Sequence, residues 1–264
     1  MMRADPLLVE TVERMFAENL APEDLAEAHG SGGVRFMELA LEMGLDAVLA
    51  PQEQGGYGGG WPDAFVIAEA CGRYAAPGAL PEAMILRGLG HGAEDAAAGA
   101  SPLPMPAGAL LRSAQMAGAA QGLVERTAAY CSERTQFGRP IAKFQAVQQQ
   151  MAELAGYAAC MQAASQQAFA AVQKHGMPES GESPAWLAVA IAKCRCSELV
   201  HPVTQIAHGV HGAIGFTEEM GLQYFSLPLW RWRAEYGRDS DWAEAIGARA
   251  IAAGPTATWA SLTR

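Results

Sequence analysis

The sequence has little basic charge and no long run of hydrophobic residues, and each shortage excludes a class of protein. It contains 18 Lys and Arg against 28 Asp and Glu, which makes a formal net charge of -10 at pH 7. A protein that binds a nucleic acid needs a basic face, so this balance argues against a nucleic-acid partner. No apolar run approaches the ~20 residues that a transmembrane helix requires, and we expect no membrane span.

Cysteine is also scarce, and the five cysteines form no pattern that is typical of a disulfide framework or a metal site. Cys194 and Cys196 are two residues apart in a helical stretch, so their side chains point in different directions. The odd count and the lack of a signal peptide predict a protein of the reducing cytoplasm with buried or inert thiols. His208 and His211 have a spacing that suits one metal ion, but no third ligand accompanies them, and we predict no metal site.

The composition of the sequence predicts a helical protein. Half of it is hydrophobic, alanine is abundant in the second half, and long alternating runs of β-branched residues are absent, which favours helices. We predict an all-α protein with a helical domain over residues 1–92, a shortened linker over 93–107 and a C-terminal domain over 108–264. Long helices joined by short loops predict a four-helix bundle in the C-terminal domain. Its second helix is expected to start near Pro140, and its fourth near Thr217.

One segment between the first two bundle helices has the composition of a binding site. It runs from Arg134 to Ile141 with the sequence RTQFGRPI, and Phe144 and Gln145 follow. Arg and Gln can hold phosphate oxygens through hydrogen bonds, and Phe can lie against a flat ring system. The alternative is a turn that connects two helices and packs at a subunit interface.

This segment and two others resemble the acyl-CoA dehydrogenase family. The others are residues 109–118 (ALLRSAQMAG) and 211–219 (HGAIGFTEE), and residues 43–56 add an N-terminal match. The family has a β-rich middle domain between its helical domains. Here only the Gly-, Ala- and Pro-rich residues 78–107 stand between them, too few for a sheet domain with its own core. The sequence therefore resembles an acyl-CoA dehydrogenase without the middle domain.

The resemblance implies FAD as the cofactor. Six residues fall on family positions that contact an FAD bound mainly by a neighbouring subunit: Arg134, Gln136, Phe137, Ile141, Phe144 and Gln145. The turn at Gly212 matches a second FAD-contacting segment, in which glycines let the backbone approach the diphosphate. The family commonly has Gln at the position of Gly209 and Gly at that of Ala213, so this chain departs from the family there.

The resemblance also implies an acyl-CoA substrate and a carboxylate base. The family reaction removes an α-proton from the thioester while a hydride leaves the β-carbon for the flavin, and a carboxylate takes the proton. One family position for that base matches the apolar Leu111, and the other matches Glu235. Tyr236 and Gly237 follow, so the family's Glu-Gly-Thr is incomplete. Arg112 matches a position near the base or the CoA. The alternatives are a surface ion pair of Glu235 with Arg231 or Arg238 and a helix-packing role for Arg112.

We therefore expect α,β-dehydrogenation of an acyl-CoA thioester with FAD, in an oligomer with a full-length partner chain that supplies the missing walls of the site. The bacterial branch that residues 230–233 resemble often acts on bulky acyl groups, so fatty acid or steroid side-chain degradation is the expected setting. One alternative is a non-catalytic scaffold subunit that has lost FAD and substrate binding. Another is a self-sufficient homodimer or homotetramer.

Overall fold

A computed structural model describes residues 4–92, 103–179, 181 and 183–262, and these residues are mainly helical. In this part of the chain two-residue strands, β1 (Thr135–Gln136) and β2 (Arg139–Pro140), form one antiparallel hairpin. Short 3₁₀ turns connect several of the helices. The predicted all-α class is confirmed. Among the described residues, the α-helices are α1 (Pro6–Asn19), α2 (Leu25–Ala28), α3 (Gly32–Glu42), α4 (Trp61–Arg73), α5 (Leu80–Gly88), α6 (Met105–Glu133), α7 (Gln145–His175), α8 (Pro184–His211), α9 (Gln223–Ala234), α10 (Asp239–Ala253) and α11 (Pro255–Leu262).

The starts of two helices follow local signals that the sequence displays. The carboxylate of Asp5 accepts a hydrogen bond of 2.8 Å from the backbone N–H of Leu7 at the start of α1. At the start of α8 the hydroxyl oxygen of Ser183 accepts one of 3.2 Å from the N–H of Ala185. Both helices begin with proline, whose missing N–H costs nothing at that position.

The long helices α6, α7 and α8 pack against one another, and α9 packs against α6 and α8. Helix α4 of the N-terminal part lies across α6 and α7. Most buried hydrophobic side chains of both parts belong to one continuous core. The predicted linker over 93–107 lies for the most part outside the described residues, and the chain is helical again from Met105.

Two helix starts in the C-terminal half differ from the predictions. Helix α7 begins at Gln145 rather than near Pro140, because Pro140 belongs to β2 and residues Ile141–Lys143 form a 3₁₀ turn. Helix α9 begins at Gln223 rather than near Thr217.

The later start of α9 follows from two 3₁₀ turns, Gly212–Phe216 and Glu218–Met220, and from Gly221 with its positive φ of 66°. Glu218 and Glu219 therefore lie in a 3₁₀ turn.

In the described part of the chain, no helix is both long and apolar enough to cross a membrane. No group of three or more His, Cys, Asp and Glu side chains among the same residues could hold a metal ion.

The buried Glu69 of α4 predicts a pH-dependent stability. Burial raises the pKa of Glu69 from 4.5 to about 7, and the nearby Arg73 opposes this shift. The folded chain therefore holds a proton that the unfolded chain releases, and the free energy of unfolding should fall as pH rises from about 4.5 to about 7. Glu69→Gln should be more stable than the wild type by up to about 3 kcal/mol at pH 8. Urea unfolding at pH 5 and pH 8 measures this difference.

The gain from Glu69→Gln should be much smaller at pH 5, where the wild-type side chain is already protonated in the folded state. The exposed Glu153 on α7 provides the matched control, since Glu153→Gln should change stability little at either pH. An equal gain at both pH values for Glu69→Gln would contradict the prediction.

Candidate functional site

The segment from Arg134 to Ile141 forms a tight hairpin that projects from the end of α6. Thr135 pairs with Pro140, and Gln136 pairs with Arg139, so Phe137 and Gly138 form a two-residue loop. Both have positive φ, 51° and 78°, as a type I′ turn requires. This conformation is unfavourable for a phenylalanine, yet the side chain of Phe137 is 91% exposed. The hairpin thus holds an aromatic ring in solvent at a conformational cost.

The cationic and polar side chains of the hairpin are also exposed. Arg134 and Arg139 are exposed, and neither makes an ion pair with a carboxylate among the described residues. The guanidinium of Arg139 lies 4.3 Å from the ring centroid of Phe144, which is 6.1 Å from that of Phe137. The N–H of Ile141 donates to the carbonyl of Arg134 at 2.8 Å and closes the hairpin. Gln136 and Gln145 are exposed.

The Gly212 turn lies at the same end of the bundle as the hairpin. The ring of Tyr130, near the end of α6, stacks on His211 at the end of α8 with 4.3 Å between centroids. Gly212 then ends α8 with φ of 65°. No atom outside the local chain lies within 4 Å of where a Cβ on Gly209 or Gly212 would be, so both backbones are open to approach. The fold therefore brings the two predicted FAD-contacting segments to one end.

An open groove of about 450 Å³ runs between α8 and α9 beside this turn. Its lining combines exposed apolar side chains with imidazoles: Phe216, Leu227, Trp230, His201 and His208. Phe216 is 77% exposed and Leu227 67% exposed. Burial lowers the pKa of His208, which favours a neutral ring in this groove. The groove could not be predicted from the sequence, because α8 and α9 are brought together by tertiary packing.

The other predicted residues, Arg112 and Glu235, meet directly. Nε of Arg112 donates to Oε2 of Glu235 at 2.7 Å. Arg112 is only 6% exposed, and its Nη1 also lies 2.7 Å from Oε1 of Glu82 and donates to the side chain of Gln115. A buried guanidinium needs such partners, because an unpaired buried charge is costly. Glu82 could not be predicted as a site residue, because no sequence pattern around it indicates a contact with Arg112 of α6.

The carboxylate of Glu235 has a second cationic neighbour. Nε of Arg231, one helical turn earlier, lies 3.4 Å from Oε1 of Glu235. The side chain of Glu235 is 32% exposed. The ion pair with Arg231, which the sequence offered as an alternative role for Glu235, is therefore present, but the shorter contact is with Arg112. The carboxylate of Glu235 is partly open to solvent and is held by a buried guanidinium. This arrangement can orient the carboxylate as a proton acceptor.

The backbone around Glu235 leaves the helix through a strained turn. Glu235 ends α9 in an extended conformation, and Tyr236 and Gly237 have φ of 54° and 89°. Nε1 of Trp242 donates to the carbonyl of Tyr236 at 2.9 Å. The guanidinium of Arg112 lies 5.7 Å from the Trp232 ring and 5.8 Å from the Tyr236 ring. Burial raises the pKa of Tyr236, so its phenol stays neutral beside the ion pair.

The hairpin and Glu235 lie at opposite ends of α6. Arg112 is in the second turn of α6, and Tyr130 is in its last turn. Eighteen residues separate them, which is roughly 27 Å along a helix. One chain therefore does not bring Glu235 and the hairpin to the same reacting atoms.

Two family models match this chain. "Acyl-CoA dehydrogenase, N-terminal domain" matches residues 4–91, and "Acyl-CoA dehydrogenase, C-terminal domain" matches residues 105–228. The chain belongs to the acyl-CoA dehydrogenase family. Only residues 92–104, thirteen in all, lie between the two matches, so it is a short form that lacks the family's β-rich middle domain.

Known relatives agree with this membership. Acyl-CoA dehydrogenase IpdE2 of Mycolicibacterium smegmatis is 35% identical over 117 residues, which cover 44% of this chain and 34% of that protein. The chain thus matches about a third of that relative's length.

Two solved structures share the shortened fold. One, a variant of the Tcur3481-Tcur3483 steroid ACAD, has a TM-score of 0.75 and 17% identity over 92% of this chain and 96% of that chain. The other, the ChsE4-ChsE5 complex from Mycobacterium tuberculosis, has a TM-score of 0.70 and 17% identity over 97% of this chain and 100% of that chain. At these identities the likeness is one of fold.

Proposed function

We propose that this chain is a subunit of an acyl-CoA dehydrogenase that oxidises the α and β carbons of an acyl-CoA thioester with FAD, together with a full-length partner chain. The observation that carries the proposal is the hairpin. It exposes Phe137 at 91% in an unfavourable conformation, beside arginines that make no ion pair with the described residues. Local strain of this kind is kept where function uses it.

The exposed groups of the hairpin suit a dinucleotide. Arg134 and Gln136 would hold diphosphate oxygens, and Phe137 would lie against a flat ring. The open backbone at Gly212 would admit a second contact. The chain has a net charge of -10, which repels an anion. The arginines of the hairpin must therefore attract the diphosphate locally against this overall charge. FAD, when bound, supplies the hydride acceptor.

The need for a partner follows from the distance within one chain. The hairpin and Glu235 are separated by most of the length of α6, so the hairpin would serve a cofactor that lies mainly in another subunit. The residues between the two family matches are too few to build the walls that exclude water from a flavin site. One neighbour of similar fold is described as a complex of two chains, ChsE4 and ChsE5, which supports a mixed assembly here.

In this assembly Glu235 is the proposed base and Arg112 orients it. Arg112 is buried and is held in place by Glu82 and Gln115, so its contact with Oε2 of Glu235 limits the directions that the carboxylate can take. Because the carboxylate remains partly exposed, a substrate proton could reach it. A bulky acyl group, such as a steroid side chain, is the proposed substrate class, supported by the steroid ACAD of similar fold.

The experiment compares flavin content and activity of the chain alone and with a full-length acyl-CoA dehydrogenase chain that co-purifies with it. We expect the isolated chain to be colourless and to bind added FAD weakly, and the complex to be yellow and to dehydrogenate acyl-CoA. In the complex, Arg134→Met should lower affinity for FAD by at least about tenfold, because a charge-assisted hydrogen bond is lost. The absorbance of bound flavin and an FAD titration measure both effects.

Arg14→Met is the matched control, since Arg14 is an exposed arginine of α1, far in sequence from the hairpin. If the isolated chain holds stoichiometric FAD and oxidises acyl-CoA unaided, the need for a partner is wrong and the chain is a self-sufficient oligomer.

A second candidate function is a non-catalytic scaffold subunit. The engagement of Glu235 by two arginines favours it, as do Gly209 and Ala213 at positions where the family has Gln and Gly. In that case the complex is active, but its turnover does not depend on Glu235.

A further inference from the structure

Lys193 is a fully buried lysine of α8 whose three ammonium hydrogens all have acceptors. Its Nζ donates to Oγ of Ser197 at 2.8 Å, to the carbonyl of Arg233 at 3.0 Å and to the carbonyl of Gly237 at 2.7 Å. The two carbonyls lie two residues before and two residues after Glu235. Lys193 therefore holds both sides of the turn that carries the proposed base.

The position of Lys193 has a clear physical reason. The last carbonyls of a helix have no partner within the helix and carry partial negative charge. The carbonyl of Arg233, in the last turn of α9, is such a group, and a cation stabilises it. Burying a lysine in an apolar core is costly unless its donors are satisfied. Because Lys193 is 0% exposed, its retention here is explained by the contacts that it makes with this turn.

We propose that Lys193 is a positioning residue, which fixes the turn of Glu235, Tyr236 and Gly237 so that the carboxylate of Glu235 meets Arg112. The proposal deepens the proposed function, and only its consequence for turnover rests on that function. The positive φ values of Tyr236 and Gly237 make the turn dependent on such an anchor, because the free chain would leave this conformation. The hydrogen bond from Trp242 to the carbonyl of Tyr236 fixes only the middle of the turn.

The test that does not need activity is hydrogen exchange of the full chain. Burial lowers the pKa of Lys193 from 10.5 to about 8, so the exchange is measured at pH 7, where the ammonium form is present. In Lys193→Met we expect the amides of Glu235 and Arg238, which donate to the carbonyl of Arg231 and to a carboxylate oxygen of Asp241, to lose on the order of tenfold or more of their protection, because the charged donor that holds the turn is lost. Peptides from the middle of α7 should keep theirs.

Lys174→Met is the matched control, since Lys174 is exposed at the end of α7 and should leave the turn unchanged. Unchanged protection of the turn in Lys193→Met would overturn the proposal. If that variant does not fold, amide exchange of the wild type still tests the proposal. Wild-type amides of Glu235 and Arg238 that exchange as fast as those of an unstructured peptide would show that Lys193 holds nothing in place.

The second readout is turnover of the assembled enzyme. Lys193→Met should lower kcat more than it changes KM, and it should add little to the loss caused by Glu235→Gln, because both act through one carboxylate. A purely structural lysine would lower activity to the same extent in either background, which would overturn the proposal. A looser turn with unchanged turnover would support the anchor and would count against Glu235 as the base.

Discussion

Glu235→Gln is expected to lower the turnover of the assembled enzyme by about 10²–10⁴-fold, the range that a positioned general base contributes. Its flavin content should stay the same, because Glu235 and the hairpin lie at opposite ends of α6. Glutamine keeps the shape of the side chain, and its amide oxygen can still accept a hydrogen bond from Arg112. The variant therefore removes the proton acceptor with little change in packing. Steady-state kinetics with an acyl-CoA and the flavin absorbance of the same sample measure the two quantities.

The companion variant is Glu82→Gln, which changes the other carboxylate that pairs with Arg112. It weakens the hold on the guanidinium but leaves the proposed base intact, so a smaller loss is expected. Glu244→Gln, at an exposed position of α10, should have no effect. A Glu235→Gln complex with wild-type turnover would establish the scaffold function instead.

Gly118→Leu should abolish folding or destabilise the chain by more than about 3 kcal/mol, the upper end of what overpacking usually costs. Helices α4 and α6 cross so closely that a Cβ on Gly118 would lie well inside van der Waals contact with the backbone carbonyl of Glu69. Gly72 of α4 meets the carbonyl of Gln115 in the same way. Neither backbone can yield without separating the two helices, so the N-terminal part would lose its contact with the bundle.

The control for Gly118→Leu is Gly156→Leu on α7. No neighbouring atom lies within 4 Å of the Cβ position of Gly156, and leucine is a better helix former than glycine. This variant should be as stable as the wild type or slightly more stable. Circular dichroism and thermal unfolding compare the two, and a folded Gly118→Leu of normal stability would show that the crossing is not as close as described.

Much of the fold could be predicted from the sequence because its signals are local. Helix-forming composition, prolines at helix starts and the short connections determined an all-α chain. The departures occur where non-α turns intervene. Ile141–Lys143 and Glu218–Met220 read as helix in the sequence, but β2, the 3₁₀ turns and Gly221 delay the two helices that follow.

The exposure of the hairpin could also be predicted, since a segment that combines Arg134, Gln136, Phe137 and a turn glycine is poor core material. The sequence did not reveal the positive φ of Phe137 or the common end that the hairpin shares with Gly212. The positive φ depends on the register of the two strands. The common end depends on the stacking of Tyr130 on His211, which are 81 positions apart in the chain.

By itself, the sequence determined the helical class, the family and the shortened middle of this chain, because each is encoded in composition, motif and the spacing of motifs. Only the tertiary structure decided the surroundings of Glu235. Its partner Arg112 is 123 positions away in sequence, and Lys193 reaches the same turn from α8. Such contacts arise when separate helices pack against one another. A sequence pattern describes one helix at a time, so it cannot state which buried charges will meet.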